Sequence, residues 1–149
     1  MGLYFGSVDA VALVAATAKT VLEIATPSTM DLKIVEWWVD FDGVTASAVP
    51  VKIEVGRFSA AVTTATSLTP SKYCNSASPA SAATVKQGTT VEGAGTASDV
   101  IIKRISPTSG FHYVAPLGRE LYMPVSTFFR IRLTAAAGVN AAFGAIWEE

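Results

Sequence analysis

A chain of 149 residues, 50% hydrophobic and only 15% charged, suits one domain, and its formal net charge of -1 lacks the clustered Lys and Arg that phosphate contacts need. Nucleic acid is therefore not an expected partner. The single cysteine, Cys74, excludes an intrachain disulfide and a Cys-rich zinc site, and the apolar run Ala10 to Ala18, closed by Lys19, is shorter than the roughly 20 residues that cross a bilayer.

A membrane partner is not expected, and with Asp9 and no Lys or Arg ahead of that run it does not read as a secretory signal, so the mature chain is expected to start at or near Met1. Ordinary globular domains carry about 25% charged residues. A chain this poor in charge reads as a subunit whose surface is partly covered by neighbours.

Met1 to Ala18 mixes Ala with Gly2, Gly6, Val and Leu, and is predicted to be an arm over about residues 1–18 with a short strand near Val11 to Val14. Thr20 to Thr26 alternates and stops at Pro27-Ser28, which predicts a strand. Leu32 to Phe41 is the clearest element: Val35, Trp37, Val39 and Phe41 share one side with Lys33, and Glu36, Trp38 and Asp40 take the other. Pro50 to Phe58 alternates Val51, Ile53 and Val55 with Lys52, Glu54 and Gly56, and the two segments read as a hairpin joined through Asp42-Gly43.

From about residues 59–98 the chain turns to Ala, Ser, Thr and Gly, punctuated by Pro70, Pro79, Gly88, Gly93 and Gly95. A structureless loop of that length is uncommon in a compact domain, so short strands, or a segment ordered against a neighbour, are expected there. Asp99 to Ile105, Phe111 to Ala115, Arg119 to Met123, Phe128 to Thr134 and Asn140 to Trp147 complete the predicted strands. Eight or nine short strands with no amphipathic helix predict an all-β antiparallel β-sandwich over residues 1–149, with a jelly roll as first choice and an immunoglobulin-like sandwich as second.

No residue set predicts catalysis, a cofactor or a metal. His112 is the sole histidine and cannot supply the several ligands of a metal site on such a fold, so it reads as a packed or interface residue. Asp40 and Asp42 flank Phe41 without the further oxygen ligands of a calcium loop, and Asp42-Gly43 reads as turn chemistry with the carboxylate bonded to local backbone N–H groups. Trp37 belongs to the core row. Trp38 points the other way, which predicts cover by another layer, a subunit contact or a sugar-stacking platform, in that order. Arg130 and Arg132 share a strand face and would pair with Glu36 or Glu54 across the sheet or a subunit boundary, or form a solvated face. Trp38, His112, Tyr113, Arg130 and Arg132 are the candidate protein-contact residues.

Several short segments, Ala15-Ala16-Thr17-Ala18-Lys19-Thr20-Val21-Leu22, Phe41-Asp42-Gly43, Pro50-Val51-Lys52-Ile53-Glu54-Val55 with Arg57, and Trp147-Glu148-Glu149, give the chain a layout that resembles the jelly-roll head decoration and minor virion proteins of tailed bacteriophages. Ile105 to Val114 departs from the family pattern, which has a His-Pro-Gln there. The resemblance implies a non-enzymatic virion protein, made in the host cytoplasm and mounted on the capsid exterior. It implies a homotrimer that binds the major capsid protein at local threefold positions and acts as cement. The alternative is a tail- or fibre-associated carbohydrate-binding module using Trp38 or Tyr113.

Overall fold

The structure, a computed structural model, describes residues 2–45, 49–74, 76–93 and 95–149. Ala94, between the punctuating Gly93 and Gly95, lies outside the described residues. Twelve strands and no helix are found among them: β1 (Leu3–Leu13), β2 (Ala18–Ala25), β3 (Leu32–Phe41), β4 (Val51–Phe58), β5 (Thr64–Leu68), β6 (Ser71–Lys72), β7 (Thr84–Val91), β8 (Ala97–Ile105), β9 (Gly110–Val114), β10 (Leu121–Met123), β11 (Phe128–Thr134) and β12 (Val139–Glu148).

These strands form two antiparallel sheets. The first runs β10-β3-β12-β1-β6, with β9 beside β10 on the same edge of β3, and the second runs β5-β7-β2-β11-β4-β8. The pairs β1 with β12, β2 with β11, β3 with β9 and β4 with β8 are nested like the rungs of one long hairpin. Rolling that hairpin up places alternate pairs in opposite sheets, which is the jelly roll. Strands β5, β6 and β7 are an insertion between β4 and β8 that widens both sheets, so the Ala/Ser/Thr/Gly-rich stretch does contain short strands. Tyr4, Leu22, Ile24, Trp37, Val39, Ile53, Val55, Phe129, Ile131, Phe143 and Trp147 fill the space between the sheets.

Three expectations are corrected. Residues 3–13 are not an arm: β1 lies between β12 and β6, paired with β12 from Leu3↔Glu148 to Leu13↔Val139. Its alternation is hidden by a bulge between Val8 and Val11, where Ala10 takes φ +56°. Second, β3 and β4 do not form a hairpin. They lie in different sheets, because the apolar rows of both strands must face the same core from opposite sides. Third, a bulge opposite Ile146 and Trp147 at Val35 shifts the parity of β3, so Leu32 and Ile34 point inward with Trp37 while Lys33 is exposed. The single cysteine, Cys74, is exposed.

Candidate contact surfaces

The jelly roll brings the described parts of four connections together at one end: residues 14–17, 42–45 with 49–50, 106–109 and 135–138. Backbone hydrogen bonds tie them to each other. Ala16 N–H donates to Ala135 O at 2.7 Å and Gly43 N–H to Pro107 O at 2.8 Å. Gly43 is required for the second closure, since a Cβ there would overlap the Pro107 carbonyl oxygen. Asp42 bonds its own backbone as the turn reading expects, but it also reaches well beyond its turn. Its carboxylate accepts the Asn140 backbone N–H at 2.9 Å and the side-chain Nδ2 at 2.7 Å, linking the β3–β4 connection to the last strand. These bonds to Asn140 hold the Asp42 carboxyl below its ordinary pKa.

Asp42 is the one ionisable residue in the four connecting sequences, which otherwise read Val-Ala-Ala-Thr, Gly-Val-Thr-Ala-Ser-Ala-Val-Pro, Ser-Pro-Thr-Ser and Ala-Ala-Ala-Gly. A cleft of about 710 Å3 opens there, lined by residues such as Leu13, Val44, Val49, Pro107, Ala136 and Val139. Val14, Val44 and Val49 are 63%, 96% and 62% exposed. At the opposite end the connections carry Asp31, Arg119 and Glu120, with Glu149 alongside. The molecule is thus polar along its long axis in charge, with one uncharged, apolar-tipped end.

A second apolar surface lies on the free edge of the second sheet. β8 pairs only with β4 among the described residues, and it exposes Ile101 on the side shared with Val55 and Ile102 on the side shared with Glu54. Lys103, which lies over the Phe111 ring at 5.3 Å, and Arg104 come next along the strand, charges that discourage indiscriminate strand addition.

The predicted contact residues separate. Trp38 and His112 do come together as register partners on the outer face of the first sheet, ring centroids 6.3 Å apart and edge to face. His112 Nε2 donates to Glu36 Oε1 at 2.5 Å. Gly144, the partner of Trp38 on β12, lets the indole lie down on the sheet: a Cβ there would stand 2.7 Å from Cε2. Tyr113 turns inward and stacks on Trp37 at 5.8 Å, so it leaves this surface.

Arg130 leaves it too, for a different reason. It sits on the outer face of the second sheet, 1% exposed, where Nε donates to Glu23 Oε2 at 2.8 Å and the guanidinium stacks over Phe58 at 4.8 Å. Its other nitrogens donate to the carbonyls of Ala60 and, at 3.5 Å, Glu92, and Glu23 Oε2 also accepts the Val62 N–H at 2.8 Å. Thr20 binds the Glu92 carboxylate, with Oγ1 donating to Oε2 at 2.7 Å. Arg130 thereby straps the start and end of the insertion onto the sheet. Arg132 meets Glu54 as one of the expected pairings, through two bonds of 3.2 Å.

Among the described residues no cluster of three or more His, Cys, Asp or Glu is placed to hold a metal ion. Among these residues no helix is long and apolar enough to cross a membrane. The uncharged end escaped sequence reading because its four parts are dispersed over more than a hundred residues, although the small uncharged composition of each was visible. The apolar run Val100-Ile101-Ile102, which puts large side chains on both faces of a strand, was the available signal for β8. No protein-family model matches the chain, and neither a curated protein nor a solved structure matches it.

Proposed function

We propose that this protein is a non-enzymatic structural subunit of a bacteriophage virion, a capsid decoration protein that binds the major capsid protein as a homotrimer and stabilises the shell. The observation that carries the reading is the uncharged end of the jelly roll. Interface cores are depleted of charge, and docking this end desolvates a single carboxylate, Asp42, whose oxygens are already bonded to Asn140. Val14, Val44 and Val49 supply apolar contact there, and the charged opposite end then faces solvent. Self-association uses the apolar side chains of the β8 edge, which lies along the flank and leaves the end free.

A trimer that binds the assembled shell and not the free coat subunits stabilises the shell by mass action, and its three linked sites reinforce one another. The experiment adds purified protein to undecorated particles and follows binding and the temperature at which the shell opens. Saturable binding at symmetry-related sites with a raised opening temperature is expected, and Val44→Asp combined with Val49→Asp should abolish it. Both side chains are exposed, so the variant keeps its fold. Binding that survives the two added charges, or no binding to any particle by the native protein, overturns the proposal.

A further inference from the structure

The outer face of the first sheet carries an arrangement centred on Trp38 that meets the docking end only at Asp42 and Asn140. Four register partners form a row across it: His112 on β9, Trp38 on β3, Gly144 on β12 and Ser7 on β1. Trp38 lies over Gly144, half-buried, with Glu36 and Asp40 on either side of it along its own strand. Each is about 7 Å away by strand geometry. The Asp40 carboxylate lies over Gly110 on β9, where a Cβ would stand 2.7 Å from its Cγ, and a hollow of about 190 Å3 opens beside Asp40, lined also by Asp9, Ala10, Asp42, Asn140 and Ala142. Asp9 and Asp40 are exposed, and their carboxylates accept no hydrogen bond among the described residues, unlike Asp42 and Glu36.

We infer that this face binds a neutral pyranose, with the sugar's C–H face on the Trp38 indole and a hydroxyl donating to the Asp40 carboxylate. An indole held flat offers a wide apolar plate at little entropic cost, and ionised carboxylates are strong acceptors that suit donors such as vicinal hydroxyls. The charge decides the class of sugar. Lys33, the cation farther along β3, is 3.9 Å from Glu148, so sialic and uronic acids would meet the Asp40 and Glu36 carboxylates with that lysine already paired. Ser7 and His112 flank the plate and supply further polar contacts for a second sugar unit.

Trp37 and Trp147 are buried, so Trp38 is the indole that reports contact from solvent. Titrating the intact protein with cellotriose, maltotriose, chitotriose and sialyllactose while following tryptophan emission should give a saturable change with at least one neutral trisaccharide and none with the sialylated one. Trp38→Ala should remove the response and the binding measured by calorimetry. Asp40→Asn, at an exposed position that leaves the melting temperature unchanged, should weaken binding by about tenfold through loss of a charged acceptor. Binding should persist in chelator. Absence of binding by every neutral sugar, preference for the sialylated one, binding unaffected by both substitutions, or loss of binding in chelator would each overturn the inference. Particle binding through the uncharged end is measured separately and does not depend on the outcome.

Discussion

Arg130→Met tests whether the insertion between β4 and β8 is held by a buried ion pair. The substitution keeps an apolar stem over Phe58 but leaves the Glu23 carboxylate, 1% exposed, with the Val62 N–H as its remaining hydrogen-bond donor. Removing one partner of such a pair costs about 3–5 kcal/mol. The lower part of that range is expected, because Lys86 Nζ already stands 3.9 Å from Glu23 Oε1, an oxygen without a hydrogen bond of its own, and can close on it. At roughly 2–4 °C per kcal/mol for a chain of this size, about 3–4 kcal/mol should lower the melting temperature by about 6–16 °C. The Ala60 and Glu92 carbonyls lose their donor as well, so limited proteolysis should cut within residues 59–96 before it cuts elsewhere. Combining Glu23→Met with Arg130→Met should recover part of the loss, since an apolar pair removes the stranded charge and adds only the Val62 N–H to the Ala60 and Glu92 carbonyls already left without a donor, at about 1–3 kcal/mol. The reasoning is refuted if Arg130→Met costs under about 1 kcal/mol, or if the double variant is no more stable than the single one.

Trp37→Ala should cost about 3–5 kcal/mol in thermal unfolding, and Trp38→Ala clearly less, because only the first opens a cavity between the sheets; the reverse order would place β3 one residue out of register. Light scattering on the purified protein should give three times the 15.5 kDa chain mass, with Ile101→Lys and Ile102→Lys shifting it to one; a native monomer at all concentrations would remove the trimer. Burial pushes the Glu54 carboxyl up, but the hydrogen bonds and charges of Arg132 and Lys52 outweigh it and hold the group below its ordinary value of 4.5. Folding therefore favours the ionised form, so the contribution is whole above pH 4.5 and is lost as pH falls through the depressed value. Melting temperatures measured below pH 4.5 should drop less steeply in Arg132→Met than in the native chain.

The strands were legible wherever one face is apolar and the other polar. Leu32–Phe41 and Phe128–Thr134 have the bounds that their alternation predicts, and β12 is one residue longer at each end than its prediction. Pairing was less legible, because alternation tells which side is buried and not which strand lies alongside. The β3–β4 hairpin failed for that reason: two half-buried strands adjacent in sequence fit equally well as neighbours in a sheet or as opposite walls of a sandwich. Bulges at Val35 and Ala10 left no mark in composition, yet each inverts the parity of the strand residues beyond it. β1 was hidden by the second of these and by its small side chains.

The contact residues show the same division. Trp38 was placed on the outer face by its neighbour Trp37, and His112 can be placed there by Phe111 and Tyr113, so the direction of each side chain was available locally. Their meeting was not, since Glu36 and His112 are 76 residues apart and touch only because β9 pairs with β3. Glu23 and Arg130, 107 residues apart, were harder still, because an acid inside the apolar run Val21-Leu22-Glu23-Ile24 gives no hint that its partner lies beneath an inserted loop.

The uncharged end gains its fitness for docking from how its loops are joined as much as from what they lack. Ordering a flexible loop on binding costs about 1–2 kcal/mol per fixed residue, enough to cancel much of what three exposed valines contribute. Here β1–β2 is tied to β11–β12 through Ala16 and Ala135, β3–β4 to β8–β9 through Gly43 and Pro107, and β3–β4 again to β12 through Asp42 and Asn140. All of the backbone donors and acceptors in those ties are satisfied within the chain, so a partner need not supply hydrogen bonds in order to cover them. A surface of small uncharged side chains on a pre-tied frame can then convert apolar contact into affinity with little ordering cost, and the one carboxylate it carries is already engaged before any partner arrives.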